Sequence, residues 1–322
     1  LVASLLSFGF PAQASDPTPA DHAMALTEQF QKIIGARKLA VTVIPITAVH
    51  GVEAAGWHDT EPYAVASAFK GPVAIYFLEM TDPAIWNAVP VPYWSEKKPE
   101  RIPERYRTVW EQNQKLYFDL HQMAQLSEND ATGRVLTWVW KNTPAKDLGD
   151  NPLRAFNNWS RQKVGISEKS GMRAWLVGES ICPRCADNRY PSQMLVYARK
   201  IFYLNNTYTA QDLAKYWSYL ATEGHRLGYF STAEALMRDQ HYGLVGKMAR
   251  RYDIFTISKD GYIAPDSENG NGYRISTDAG LLRLPDGEEY AVAFMAFDSG
   301  DLIEPAAKIM SEVLIAAQRA EF

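Results

Sequence analysis

The chain has 322 residues, 47% hydrophobic and 22% charged, an ordinary globular composition with room for one large domain or two lobes. A formal net charge of −4 without an extended Lys/Arg run excludes the electrostatic footprint of a nucleic-acid binder and a polybasic membrane anchor. The six histidines are scattered and the two cysteines have no histidine near them, so no metal and no organic cofactor is expected.

Residues 1–10, LVASLLSFGF, are apolar and too short to cross a bilayer, and Ala12-Gln13-Ala14 follows as a small-x-small cleavage pattern. Residues 1–14 therefore read as the remnant of a signal peptide, and the mature protein is expected in a periplasm or outside the cell, without a stable membrane anchor. An amphipathic helix is expected over 20–34, where Leu26, Phe30, Ile33 and Ile34 share a face and Gly35 stops the run. Strands are expected at 39–44 and near 49–54.

Residues 63–80, YAVASAFKGPVAIYFLEM, predict a buried helix that opens on Ser67 and carries Lys70 one turn later. From there a long helical block is expected. Five prolines mark 83–103 as a surface excursion. Helical spacing then covers 106–126, 131–140 and 153–164, with a polar joint at 141–152. Residues 165–191 read as irregular and contain Cys182-Pro183-Arg184-Cys185, expected in an exported protein to form a local disulfide. A helix is expected over 193–204, and capping boxes at Thr209 and Ser231 announce two more.

Strands return at 252–257, 274–284 and 290–297, the last two joined by a turn at Pro285-Asp286-Gly287. Asp301 is expected to cap a closing helix whose inner side carries Ile309, Met310, Val313, Leu314 and Ala317. Strands at both ends with helices between them imply an α+β fold. Its antiparallel sheet lobe, built from 15–60 and 250–322, would be covered by the terminal helices, with 61–249 inserted as an all-helical lobe. Together these would form one discontinuous, two-lobe catalytic domain, most simply a monomer.

S-x-x-K occurs three times, at Ser67/Lys70, Ser95/Lys98 and Ser160/Lys163. The first copy alone opens a strongly apolar segment. There, burial and the unpaired N–H groups of a helix start would together depress the lysine pKa and favour a developing oxyanion. A polar triplet, Ser127-Glu128-Asn129, separates two apolar helices, and Lys259-Asp260-Gly261 closes an expected strand.

S-A-F-K at 67–70, S-E-N at 127–129 and K-D-G at 259–261, in that order, resemble the nucleophile, S-D-N and K-T-G motifs of the serine penicillin-recognising enzymes, most of all the class A β-lactamase-like branch. The flanks A-F-K-G-P-V, M-A-Q-L-S-E-N-D-A-T and T-D-A-G-L-L extend the resemblance over 20–320. It implies the β-lactamase/D,D-peptidase-like fold, with Ser67 as acylated nucleophile and Lys70 as its base or base partner. Ser127 would relay a proton, and Lys259 would help bind a substrate carboxylate and tune Ser127. Asn129 would contact the substrate amide, and the N–H groups of Ser67 and of Tyr262, past Gly261, would form the oxyanion hole. The implied ligand is a small-molecule or peptide-like substrate, by family default a β-lactam amide. A D,D-peptidase or esterase and a non-catalytic binding homologue are the alternatives.

Two departures carry chemical weight. Asp260 replaces a hydroxyl residue, which would repel an acidic substrate group, could neutralise Lys259, and would suit an amine-bearing or neutral substrate. The family's E-x-x-L-N pattern, which supplies the base for deacylating water, is missing, leaving Glu179 and Glu168 as candidates for that role.

Overall fold

The computed structural model describes residues 17–47, 51–89, 104–173, 206–238, 243–263 and 274–319, together with the backbone of 193–197 and 200–204. Its frame is a five-stranded antiparallel sheet drawn from both ends of the chain. The strands are β1 (Leu39–Pro45), β2 (Ala55–Trp57), β8 (Phe255–Ile263), β9 (Ile275–Arg283) and β10 (Glu289–Phe297), in the order β2-β1-β10-β9-β8. Between them in sequence lie β3 (Pro62–Ala64), β4 (Gly171–Met172), β5 (Gln193–Tyr197), β6 (Lys200–Leu204) and β7 (Asn206–Thr209), with the helical block. This is the α+β architecture that the element order predicted, a sheet lobe plus a helical lobe.

Alternation along the strands gives the sheet two apolar faces. Val41, Val43, Val292 and Phe294 face one way and pack with Leu26 and Phe30 of the Pro19–Ile34 helix and Met310 and Leu314 of the Ile303–Arg319 helix. Ala291, Ala293, Met295 and Leu281 face the other way, into a core continuous with Phe77, Trp159, Leu213 and Trp217 of the helical block. The first helix starts at a capping box in which Thr18 and Asp21 satisfy each other's backbone N–H groups.

Several local expectations are corrected. Residues 63–80 are not one helix. They comprise β3, a 3₁₀ turn at Ala66–Phe69 that contains Ser67, and an α-helix at Lys70–Met80. The predicted helix over 193–204 is instead the β5–β6 hairpin, with Gln193 paired to Leu204 and Tyr197 to Lys200. Its run Q-M-L-V-Y then I-F-Y-L is rich in aromatic and branched residues, and a helical period cannot be told from a strand period in so short an apolar stretch.

The run over 106–126 breaks at Asn113 into Arg107–Gln112 and Gln114–Ala124. Thr209 caps its helix through Asp212, as expected, but the helix expected at Ser231 begins at Phe230 after Tyr229, without a side-chain cap. Asp301 lies in a 3₁₀ turn and pairs with Arg37 at 2.6 Å. The Leu244–Arg251 helix had no expectation in the sequence reading. The signal-like segment 1–14, Cys182, Cys185 and Glu179 lie outside the described residues. No helix among the described residues is long and apolar enough to cross a membrane.

Candidate active site

The Lys70–Met80 helix is apolar on every side, and Lys70 through Leu78 are all buried, so it serves as the central post of the helical lobe. Tyr76 packs against Phe156 and Trp159, at ring-centroid distances of 5.4 and 5.1 Å, and Phe77 lies 6.2 Å from Trp138. With the post fixed, the 3₁₀ turn ahead of it presents Ser67 at a cleft of about 710 Å³ between the two lobes.

Strand β8 presses on this turn, and two glycines permit the contact. A Cβ on Gly261 would stand 2.5 Å from the backbone nitrogens of both Ser67 and Ala68. A Cβ on Gly71 would meet the Trp217 ring at 2.8 Å and the Lys259 Cβ at 3.2 Å. Lys259-Asp260-Gly261 lies inside β8, not at the end of a strand, and lines the cleft together with Tyr262.

Lys70 has no solvent exposure and lies behind Ser67. Its Nζ donates to Ser67 Oγ at 3.0 Å, to Asn129 Oδ1 at 2.7 Å, to Ser127 Oγ at 3.3 Å and to the Ser127 carbonyl. Burial above all, then repulsion from Lys259, lowers the Lys70 pKa to about 7, with Glu128 and Asp260 opposing the shift. An ammonium has three N–H donors, and here four acceptors converge on it. In the neutral amine, two N–H groups can serve the Ser127 carbonyl and Asn129 Oδ1. The lone pair is then left to accept from the Ser67 hydroxyl, as a general base requires.

The backbone is held in the left-handed region at two non-glycine residues of this site, Ala66 (φ 48°) just before the serine and Ser127 (φ 60°). Such conformations cost about 1–3 kcal/mol each and persist where the surroundings impose them. Ser127 and Asn129 thus reach Lys70 from the turn that precedes the Asn129–Asn142 helix.

Lys259 is 1% exposed, and its Nζ donates to the carbonyl and to Oδ1 of Asp260, both at 3.0 Å. The expected neutralisation by Asp260 is therefore present, and among the described residues Lys259 makes no hydrogen bond to Ser127. Across the strand pair Asp260 stands opposite Asp278. Asp278 was not among the sequence-predicted site residues, because an acid in the mixed run I-S-T-D-A-G-L-L-R of β9 reads as a surface charge. It is 2% exposed and lines the cleft. Its Oδ2 accepts from the Val245 N–H at 2.9 Å, whereas Oδ1 accepts no hydrogen bond among the described residues. Burial raises the Asp278 pKa to about 7 against the Val245 N–H, with the Asp260 charge adding to the rise and the Lys259 charge and Leu244 N–H opposing it.

The structure thus brings Ser67, Lys70, Ser127, Asn129, Lys259, Gly261 and Tyr262 together. It does not bring Glu168 to them. Ser167 and Ser170 on either side both donate to the buried Asp212, which folds this stretch against the Ala210–Tyr219 helix. Glu168 is exposed and is not among the residues that line the described cleft. The third S-x-x-K copy is structural, since Ser160 is buried and donates to the Phe156 carbonyl at 2.8 Å. Arg274 is exposed at the outer end of the cleft, while Arg283 pairs with Glu289 at 2.7 Å. Among the described residues no group of three or more His, Cys, Asp or Glu could hold a metal ion.

No family model matches the chain, and no curated protein sequence does. Solved structures match over nearly the whole length. A class A β-lactamase from Bacteroides cellulosilyticus is 14% identical with a TM-score of 0.58, covering 94% of this chain and 98% of that one. The β-lactamase from Streptomyces albus G is 14% identical with a TM-score of 0.57, covering 92% and 100%. PBP-A is 14% identical with a TM-score of 0.55, covering 91% and 97%. At such identities the likeness is one of fold, and the chain has the fold shared by β-lactamases and PBP-A.

Proposed function

We propose that this protein is an exported serine hydrolase that forms an acyl-enzyme on Ser67, acting on a β-lactam or related amide. The observation that carries the reading is the Lys70 amine, wholly buried, 3.0 Å from Ser67 Oγ and brought to a pKa of about 7. A lysine with its ordinary pKa would be protonated at neutral pH and could take no proton from the serine.

In the proposed reaction Ser67 Oγ attacks the carbonyl carbon as its proton passes to Lys70 Nζ. The oxyanion is received by the N–H groups of Ser67 and Tyr262, which the close approach of Gly261 brings towards each other. The C–N bond then breaks, and the Lys70 proton reaches the departing nitrogen through the Ser127 hydroxyl. That transfer restores the neutral amine. Asn129 orients Lys70 and the substrate amide, and water finally cleaves the ester to regenerate Ser67. Lys70, neutral again, is proposed to activate that water, with Glu179 as a second candidate.

A second reading, an esterase or D,D-peptidase with a long-lived acyl-enzyme, is favoured by the exposed position of Glu168, which puts that candidate deacylation base outside the residues lining the described cleft. Intact-mass spectrometry with a fluorescent penicillin and with an activated ester tests both. The expected result is an adduct that disappears in Ser67→Ala. A transient adduct supports hydrolysis of the acyl-enzyme, and a persistent one the second reading. Absence of any adduct would sink both and leave a non-catalytic binding homologue.

A further inference from the structure

The cleft wall holds two acids side by side, Asp260 and Asp278. Lys259 pairs with Asp260 at 3.0 Å and offsets part of its charge. Asp301 is paired with Arg37, and Arg274 lies just ahead of β9, four residues before Asp278 and about 13 Å from it along the chain at strand spacing. Asp278 remains, 2% exposed, in the cleft wall, with Oδ1 accepting nothing among the described residues. At the start of the Leu244–Arg251 helix, Oδ2 takes the Val245 N–H and the Leu244 N–H also acts on the carboxyl, while Oδ1 itself accepts no hydrogen bond among the described residues. A buried carboxylate oxygen without a partner costs more than a surface one, and like charges directly opposite across a strand pair destabilise it further. Asp260 and Asp278 are such a pair. A ligand that brought a positive N–H donor between them would relieve both costs at once.

We propose that the Asp260–Asp278 pair forms a subsite for a protonated amine, so that the substrate acylating Ser67 carries an ammonium group where Lys259 would otherwise receive a carboxylate. The ammonium donates to Asp278 Oδ1 and to the Asp260 carboxylate, which Lys259 shares. The raised pKa of Asp278 fits this assignment, because an ammonium at hydrogen-bond distance holds the carboxyl ionised where burial alone does not. This inference rests on the acyl-enzyme reading of Ser67 for its chemistry, but the binding subsite can be tested apart from it.

The test uses three 4-nitrophenyl esters matched in chain length: 6-ammoniohexanoate, hexanoate and the monoester of adipate. Second-order rates of Ser67 acylation are read by nitrophenolate release, with intact mass to place the adduct. The ammonium ester is expected to react at least about tenfold faster than hexanoate, and adipate slowest, as one charge-assisted hydrogen bond would give. Asp278→Asn should collapse the ammonium-to-hexanoate ratio. Asp260→Asn should also release the Lys259 charge and shift preference towards adipate, and it serves as the probe where Asp278→Asn does not fold. Equal rates, a carboxylate preference in the native protein, or a ratio unchanged by these substitutions overturns the proposal.

Titration of Ser67→Ala with 3-phenylpropylammonium and 3-phenylpropanoate separates the two readings. If no ester acylates the native protein but the ammonium ligand binds at least about tenfold tighter, the acyl-enzyme reading fails and the subsite stands. If acylation occurs without charge preference, the subsite fails and the acyl-enzyme reading stands. If neither ligand binds preferentially and no ester reacts, both fail.

Discussion

At the scale of single residues, the Lys70 amine decides whether Ser67 can act. Its pKa of about 7 means that the neutral, proton-accepting form grows as pH rises through neutrality. The acylation rate of an activated ester should therefore climb between pH 6 and 8 and level off above, and a flat profile there would exclude Lys70 as base. Lys70→Arg keeps a cation that cannot lose its proton, and acylation should fall by about 10²–10⁴-fold, the usual share of a general base. The serine and lysine were legible in the sequence because spacing, burial and helix start coincide at 67–70. Asp278 was not, since a lone acid in a strand pattern reads as a surface charge until its neighbours across the sheet are known. Its raised pKa has a sign that can be checked. The folded state binds the proton more tightly than the unfolded chain, so this contribution to stability is full below pH 3.8 and is lost as pH rises through about 7. Asp278→Asn should accordingly gain melting temperature relative to the native protein at pH 8 over its difference at pH 5. An equal difference at both pH values would mean that the carboxyl is not held in that state.

Among elements, the decisive junction is where β8 lies against the Ser67 turn. Gly261 allows it, because a Cβ there would stand 2.5 Å from two backbone nitrogens that have no flexible end to yield. Gly261→Ala should push the strand away from the turn, at a cost of about 1–3 kcal/mol in stability from overpacking. Acylation should fall further than that loss of folded protein explains, since the proposed oxyanion site spans the junction. Calorimetry and adduct formation on the same sample separate the two effects, and full acylation would show that the junction does not set the site. The sequence offered Gly261 only as part of the K-D-G motif, and that the backbone of the Ser67 turn lies against it was not legible. The Ser67 turn illustrates the opposite limit. Ala66 takes a left-handed conformation and the true helix begins only at Lys70, because β3 must first pair with β7. No local pattern in Y-A-V-A-S-A-F-K encodes that pairing, which joins residues some 145 positions apart in sequence, such as Tyr63 and Tyr208. The β5–β6 hairpin was misread for a related reason, since a continuous apolar run satisfies both periods and tertiary contacts choose between them.

For the molecule as a whole, the arrangement of the cores predicts how it unfolds. β1 pairs with β10 across the full sequence, with Val43 opposite Val292, so neither end of the chain can form the sheet alone. One face of that sheet is itself part of the helical lobe's core, where Ala293 and Met295 share a cluster with Phe77 and Trp217. The other face is closed by the first and last helices, through Phe30 and Leu314. Each lobe thus supplies a wall of the other's core, and unfolding should be a single cooperative transition despite the two-lobe shape. Phe77→Ala, deep in the helical lobe, should lower stability by about 3–5 kcal/mol. Val292→Ala, on the far face of the sheet, should move the same transition to a smaller extent. The check is to follow each variant by near-ultraviolet circular dichroism, to which the buried tryptophans Trp159 and Trp217 contribute, and by far-ultraviolet signal from helices and sheet together. Coincident midpoints that shift together in both variants are expected. If Phe77→Ala moved only the aromatic signal and left a second transition in place, the lobes would be independent units, and the Ser67 site between them would be held by their docking and not by a shared core.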